Sequence, residues 1–236
     1  MPDHQILTPE AHADLRVLTD RSPERGDAVM SCITVPDEFR RVQNDYPILF
    51  QRDPATGDFG AVALFGFETG ENLFLSDGRW DARYRPLAME IQPFLIGRAD
   101  EGSDTRQVHV DMASTRIGAE GTRVFDEDGR TTPYMDAVID RLRALDEGYV
   151  AAVDFFAALA RHDLLEPLTM DVTLDDGSKN RLVGFHIIDE ETLQDLDPAA
   201  TAELHAAGHL MPIFMALASL GNIGELVARK NRMVRG

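Results

Sequence analysis

A single cysteine, Cys32, stands in a chain of 236 residues. That excludes an internal disulfide and any zinc site built on several thiolates. Positive charge is also scarce: 23 Lys and Arg face 41 Asp and Glu, for a net charge of −18 and a pI near 4.6. Such a field repels phosphate backbones and anionic lipid surfaces, so nucleic acid is not an expected partner. Apolar runs are short of the roughly 18 residues that a membrane span needs. The longest weakly polar stretch, His209 to Ile223, is cut by Pro212 and Gly221 and reads as a buried helix. The opening residues are acidic throughout and hold no apolar core of leader length, which makes the cytoplasm the expected location. Familiar catalytic strings are missing too: there is no G-x-S-x-G elbow, Walker loop, G-x-G-x-x-G or H-E-x-x-H.

What is present is an ordinary globular composition, 44% hydrophobic and 27% charged, organised in two halves. Residues 1–28 are polar and carry Pro2, Pro9 and Pro23; they read as an arm, partly disordered or docked, ahead of a single domain over 29–236. From Tyr46 to Gly97 the apolar runs are short, rich in aromatic and β-branched residues, and punctuated by turn residues such as DPATGD. This stretch holds the only Trp and half of the Phe residues. Asn72 to Leu75 reads as a third strand of this stretch, Asp77 and Gly78 as a turn, and Arg106 to Met112, after an Asp/Glu/Gly loop, as a further strand. The period then changes: Thr132 and Pro133 start a helix whose Met135, Val138, Ile139, Leu142 and Leu145 recur at three- and four-residue spacing. Gly148 either bends or breaks it, and Leu164 and Leu165 close the pattern before Pro167. Met170 to Leu174 and Arg181 to Ile188 form one late β-hairpin, Asp189 and Asp197 cap short helices, and a last helix runs from about Met211 to Met233. The predicted class is α+β, with an antiparallel, strand-rich N-terminal half and a helical C-terminal half.

Two constellations qualify as candidate sites. The first is a contact surface formed by Asn72, Arg79, Trp80, Asp81, Arg83, Tyr84 and Arg85, because Trp and Arg are the residues that most often anchor partners. The competing reading is a Trp that closes the core, with arginines bonded to loop carbonyls. The second is an iron site. His109 and Asp111 form an H-x-D on a predicted strand, which puts both side chains on one face, and His186 on the late hairpin is the candidate distal ligand for Fe(II). His205 with His209, and the acidic pairs Asp126 with Asp128 and Asp175 with Asp176, depart from metal-binding patterns and read as helix-surface and turn residues. Arg229, Lys230, Arg232 and Arg235 gather at the end of the last helix, where they complement its dipole.

Several strings recur in order along the chain: YPI from Tyr46, GFxxGENLF from Gly66 to Phe74, DGRWDxRYRP from Asp77 to Pro86 and PFLIG from Pro93 to Gly97. They continue with Leu164 to Pro167, DDG at 175–177, GFxIIDE from Gly184 to Glu190, LxxxGHL from Leu204 to Leu210 and ALASLGN from Ala216 to Asn222. Together they resemble the SapC-like family of bacterial proteins over roughly Phe39 to Arg229. The resemblance implies a setting near surface-layer or uptake genes and carries no catalytic set onto these positions. The expectation is therefore a soluble, non-catalytic binding or assembly protein of a cell-envelope or nutrient-uptake system. It has a protein partner, a homo-oligomer is compatible, and no cofactor is expected. The alternative is a non-haem iron oxygenase using His109, Asp111 and His186.

Overall fold

The computed structural model describes residues 2–76, 78–98 and 106–235. Asp77, part of a turn expected at 77–78, and the acidic loop expected before Arg106 lie outside the described residues, the latter over 99–105.

The strands, in chain order, are β1 (His4–Ile6), β2 (Arg16–Val17), β3 (Ser31–Thr34), β4 (Ile48–Arg52), β5 (Phe59–Leu64), β6 (Leu75–Ser76), β7 (Arg79–Trp80), β8 (Phe94–Arg98), β9 (Arg106–Asp111), β10 (Thr122–Arg123), β11 (Leu165–Thr173) and β12 (Lys179–Ile188). The helices are α1 (Pro9–His12), α2 (Phe39–Val42), α3 (Leu87–Glu90), α4 (Pro133–Arg161), α5 (Glu190–Gln194), α6 (Pro198–Ala206), α7 (Leu210–Ser219) and α8 (Asn222–Arg235). Antiparallel pairing dominates the first half and helices the second, so the chain is α+β.

Among the described residues the largest sheet has five strands in the order β11-β12-β4-β5-β3. The late hairpin thus joins the sheet of the first half, with His186 opposite Phe50 at the junction. A second sheet orders β1-β9-β8, and two small ribbons pair β10 with β2 and β6 with β7. Residues 2–28 pack against the rest of the chain. β1 pairs with β9, β2 pairs with β10, and Leu15 and Val17 are buried.

α4 joins two hydrophobic cores. Thr132 caps it through its side chain and Pro133 takes the first position, where no N–H is needed. Its 29 residues extend about 44 Å at 1.5 Å each. Met135, Val138, Leu142 and Leu145 pack with Leu15, Val17, Phe94 and Val110, whereas Phe155, Ala158 and Leu159 pack under the five-stranded sheet. Gly148, between the two, does not end the helix. A Cβ there would come 2.6 Å from Val35, so the glycine allows close packing against the segment before α2.

Three expectations need correction. Asn72 to Leu75 is not a strand of the main sheet; β6 and β7 together make a short separate ribbon. α4 stops at Arg161, Asp163 takes a positive φ, and Leu165 already begins β11 instead of closing the helix. The last helix is two helices, divided at Leu220 and Gly221. There Ser219 Oγ accepts from Ile48 N at 2.8 Å and Asn222 donates to the Gln43 carbonyl at 2.8 Å, so both sides of the break are fastened to the β4 segment. By length and composition alone, Leu210–Arg235, with a window of mean hydropathy 1.6, would be long and apolar enough to cross a membrane.

Candidate functional site

The residues expected to form a contact surface are engaged mainly inside the molecule. Asn72 is buried; its side chain donates to the Asp27 carbonyl at 2.9 Å and accepts from Phe74 N at 3.0 Å. Trp80 Nε1 donates to the Tyr46 hydroxyl at 2.7 Å, and its ring meets Phe65 edge-on at 5.2 Å. Tyr46, fully buried, donates in turn to the Tyr84 carbonyl. Asp81 pairs with Arg229 at 2.7 Å, and Arg83 with Asp45 at 3.0 Å and the Asn44 carbonyl. Tyr84 donates to Glu38 at 2.6 Å and lies under the Arg41 guanidinium. Glu38, 1% exposed, also accepts from Leu87 N at 2.8 Å and so fastens this loop to α3. Arg79 is exposed on β7.

The C-terminal basic residues likewise meet internal acids: Lys230 with Glu68 and Glu71, Arg232 with Glu225, and Arg235 with Asp175. Arg229 also covers the Phe74 ring at 4.4 Å.

The proposed iron ligands do not meet. His109 and Asp111 lie on β9 in one sheet, and His186 lies on β12 in another. Among the described residues no group of three His, Cys, Asp or Glu side chains is placed to share an ion. Each has a local role instead. Asp111 Oδ1 accepts from Asp3 N at 2.9 Å and Ala113 N at 3.1 Å, His109 fills the space a side chain at Gly97 would take, and His186 packs edge-on against Phe59. Burial and nearby Arg52 push the His186 imidazole below its usual range. H-x-D placed two residues correctly on one strand, but its spacing carried no information about which sheet would hold the third. Asp126, accepting from Asp128 N and Arg130 N, and Asp176, accepting from Ser178 N, are turn residues.

The strongest chemical feature lies on the other side of the Asn72 to Pro86 loop. A cavity of about 270 Å³ is lined by Leu18, Arg21, Arg85, Glu90, Arg116, Tyr134 and Arg141, among others. It is assembled from the N-terminal segment, the α3 region, the turn after β9, and one face of α4. On α4 the lining positions Tyr134, Ala137, Val138 and Arg141 follow helical spacing, next to the apolar face that enters the core.

At the bottom, Asp27 is completely buried and serves two arginines. Arg116 Nη2 lies 2.6 Å and Arg21 Nη1 3.2 Å from the same Oδ1. Arg116 also donates to the Asp20 carbonyl at 3.1 Å, and Arg21 to the Met89 carbonyl at 2.8 Å. Even so, the buried Nε of each has no hydrogen-bond partner among the described residues. At the rim, Glu90 holds Arg85 Nε at 2.6 Å and Arg141 Nε at 3.8 Å. Side-chain exposure rises from 2% for Arg116 and 8% for Arg21 to 27% for Arg85 and 40% for Arg141, so the charges run from floor to mouth.

Electrostatics follow from this crowding. Burial, then Arg85 and Arg116, depress the Arg21 pKa against the pull of Asp27. Burial raises the Tyr134 phenol, while Arg21, Arg116 and Arg141 pull it down. Among the described residues, four guanidiniums thus face two carboxylates in a cavity of a chain whose net charge is −18. Such a site can bind an anion through charge-assisted, bidentate hydrogen bonds. Other depressions lack this imbalance. One of about 750 Å³ over the β4–β5 turn contains Arg52, whose Nε is already bonded to the Gly57 carbonyl at 2.8 Å.

Sequence reasoning had selected Arg85 but missed Arg21, Glu90, Arg116, Tyr134 and Arg141. Their one local signal is the helical spacing of Tyr134 and Arg141.

No curated protein and no solved structure matches the chain. A family model does: the one described as SapC matches residues 7–226, which takes in every side chain that lines the arginine cavity. The chain belongs to the SapC family.

Proposed function

We propose that the protein is a binding protein whose ligand is a small anion held in the arginine cavity. The observation that carries this reading is the ratio, among the described residues, of two guanidiniums to each carboxylate, at a place where two of the arginines are buried. Uncompensated positive charge away from water is costly, and a bound anion relieves that cost. The volume, about 270 Å³, corresponds to about nine waters at roughly 30 Å³ each, which suits a small metabolite rather than a polymer. The setting in a cell-envelope or uptake system and a protein partner that receives or senses the liganded form belong to the same proposal and rest on the family resemblance; a cytoplasmic location is part of the same proposal. The iron-oxygenase reading has no supporting geometry, because His109 and Asp111 lie on one sheet and His186 on another.

Isothermal titration with a panel of small anions, including inorganic phosphate, sulfate and short carboxylates, tests the proposal at constant ionic strength in chloride. Saturable binding of one anion per chain, weakened about tenfold or more by Arg85→Gln or Arg141→Gln, is the expected result. If no anion in the panel binds more tightly than chloride, the proposal fails.

A further inference from the structure

The charged groups around the cavity fall into two units of the same composition. In the deep unit Arg21 and Arg116 share Asp27; in the rim unit Arg85 and Arg141 share Glu90. Each unit holds one more guanidinium than carboxylate, so the positive excess is divided between floor and mouth. Both units present guanidiniums to the cavity: Arg21 and Arg116 line it from the deep unit, and at the rim Arg85 is bonded to Glu90 through Nε alone among the described residues, which leaves its Nη atoms as donors. Tyr134 lines the same cavity as Arg21 and Arg116 of one unit and Arg85, Arg141 and Glu90 of the other. Both units therefore face one cavity.

A ligand with a single negative charge neutralises one unit and leaves the other with a surplus guanidinium. A ligand with two charges answers both. From this symmetry we infer that the ligand is a small dianion that places negative charge on both arginine pairs. The inference rests on the reading of the cavity as an anion site. Two sources share that chemistry: a short dicarboxylate, with one carboxylate for each pair, and a phosphate or phosphomonoester, whose two charges lie on one centre. In either case Arg141, the most exposed of the four, supplies the difference between a dianion and a monoanion.

The experiment compares ligands of equal length that differ in charge. Succinate and glutarate are titrated calorimetrically against butyrate, with inorganic phosphate as a separate arm, into wild type, Arg141→Gln and Glu90→Gln. A thermal melt of each variant establishes that it is folded. The expected result is that a dianion binds wild type at least about tenfold more tightly than butyrate. Arg141→Gln should remove that advantage by weakening the dianion at least about tenfold more than butyrate, and Glu90→Gln should strengthen dianion binding. A preference for succinate or glutarate identifies the dicarboxylate source, and a preference for phosphate with the same loss in Arg141→Gln identifies the phosphoryl source; both support the inference. Equal affinity for succinate and butyrate, with phosphate no tighter, overturns the dianion and leaves the anion site standing. An advantage that survives Arg141→Gln overturns the two-unit arrangement. Absence of binding by every anion overturns the site itself.

Discussion

The Asn72 to Pro86 loop and the arginine cavity behind it are built from similar residues and differ in how those residues are matched. In the loop, Arg83 has Asp45, Asp81 has Arg229 and Tyr84 has Glu38, so nearly every polar group is answered by another inside the molecule. In the cavity each carboxylate must serve two guanidiniums. Arg85 stands at the boundary and belongs to both. Residue type marks where an anchor is available. Whether it is still available depends on the partners brought to it by the fold, and that separates a structural staple from a binding site.

The comparison is broken most severely at Asp27. Replacing it with Asn removes the charge that both buried arginines share, while the neighbouring bonds donated by Ser22 N and by the Asn72 amide end on the same residue. Breaking a buried pair on one side costs about 3–5 kcal/mol. Asp27→Asn should lower the urea midpoint by a corresponding amount with little change in slope. Saturating inorganic phosphate should then recover more stability in this variant than in wild type, since a ligand that favours the folded state stabilises it by mass action. Equal stability of variant and wild type would mean that the deep unit does not carry the charge strain assigned to it.

The loop has its own sensitive point in Tyr46, whose hydroxyl accepts from Trp80 Nε1 and donates to the Tyr84 carbonyl. Tyr46→Phe leaves both groups without a partner and should cost about 1–3 kcal/mol, read by denaturation followed through Trp80, the single tryptophan. Anion affinity should not change. The same two tyrosines set an alkaline limit. Burial raises the Tyr46 phenol well above its usual range, and burial with the bond to Glu38 raises Tyr84. A folded-state pKa above the unfolded value of about 10 means that their contribution is complete below about pH 10 and is lost as pH rises further. Stability measured from pH 8 to 11 should fall in the upper part of that range, and Tyr46→Phe should flatten the fall because one of the two groups is gone. A decline confined to acid pH would contradict this assignment.

Much of the architecture was legible because it rests on local rules. Thr132 with Pro133, the three- and four-residue spacing after them, Asp189 before α5 and Asp197 before α6 are signals contained within single segments, and each element starts where they indicate. The errors arose where tertiary packing decides. Gly148 is a close contact with Val35 and does not break the helix, and Gly221 divides a helix whose apolar content runs through it. The cavity was the least legible part, since Arg21, Glu90, Arg116 and Arg141 are separated along the chain and meet only through the packing of the N-terminal segment and α3 against α4. The acidic composition also concealed it, because a net charge says nothing about a local excess of the opposite sign.

Arg83 supplies the smallest expected effect and the sharpest contrast with Arg141. Its side chain is 75% exposed and pairs with Asp45 at the surface, so Arg83→Ala should change stability by about 0–1 kcal/mol, with the difference shrinking further in high salt. Arg141, 40% exposed, is also accessible, and its replacement should be similarly mild for folding. The two should part company in ligand binding: Arg83→Ala leaves anion affinity unchanged, whereas Arg141→Gln reduces it. Parallel titrations of the two variants with the same anion measure that difference directly. Should Arg83→Ala weaken binding as much as Arg141→Gln, the effect would be one of general surface charge, and the distinction between a matched loop and an unmatched cavity would fail.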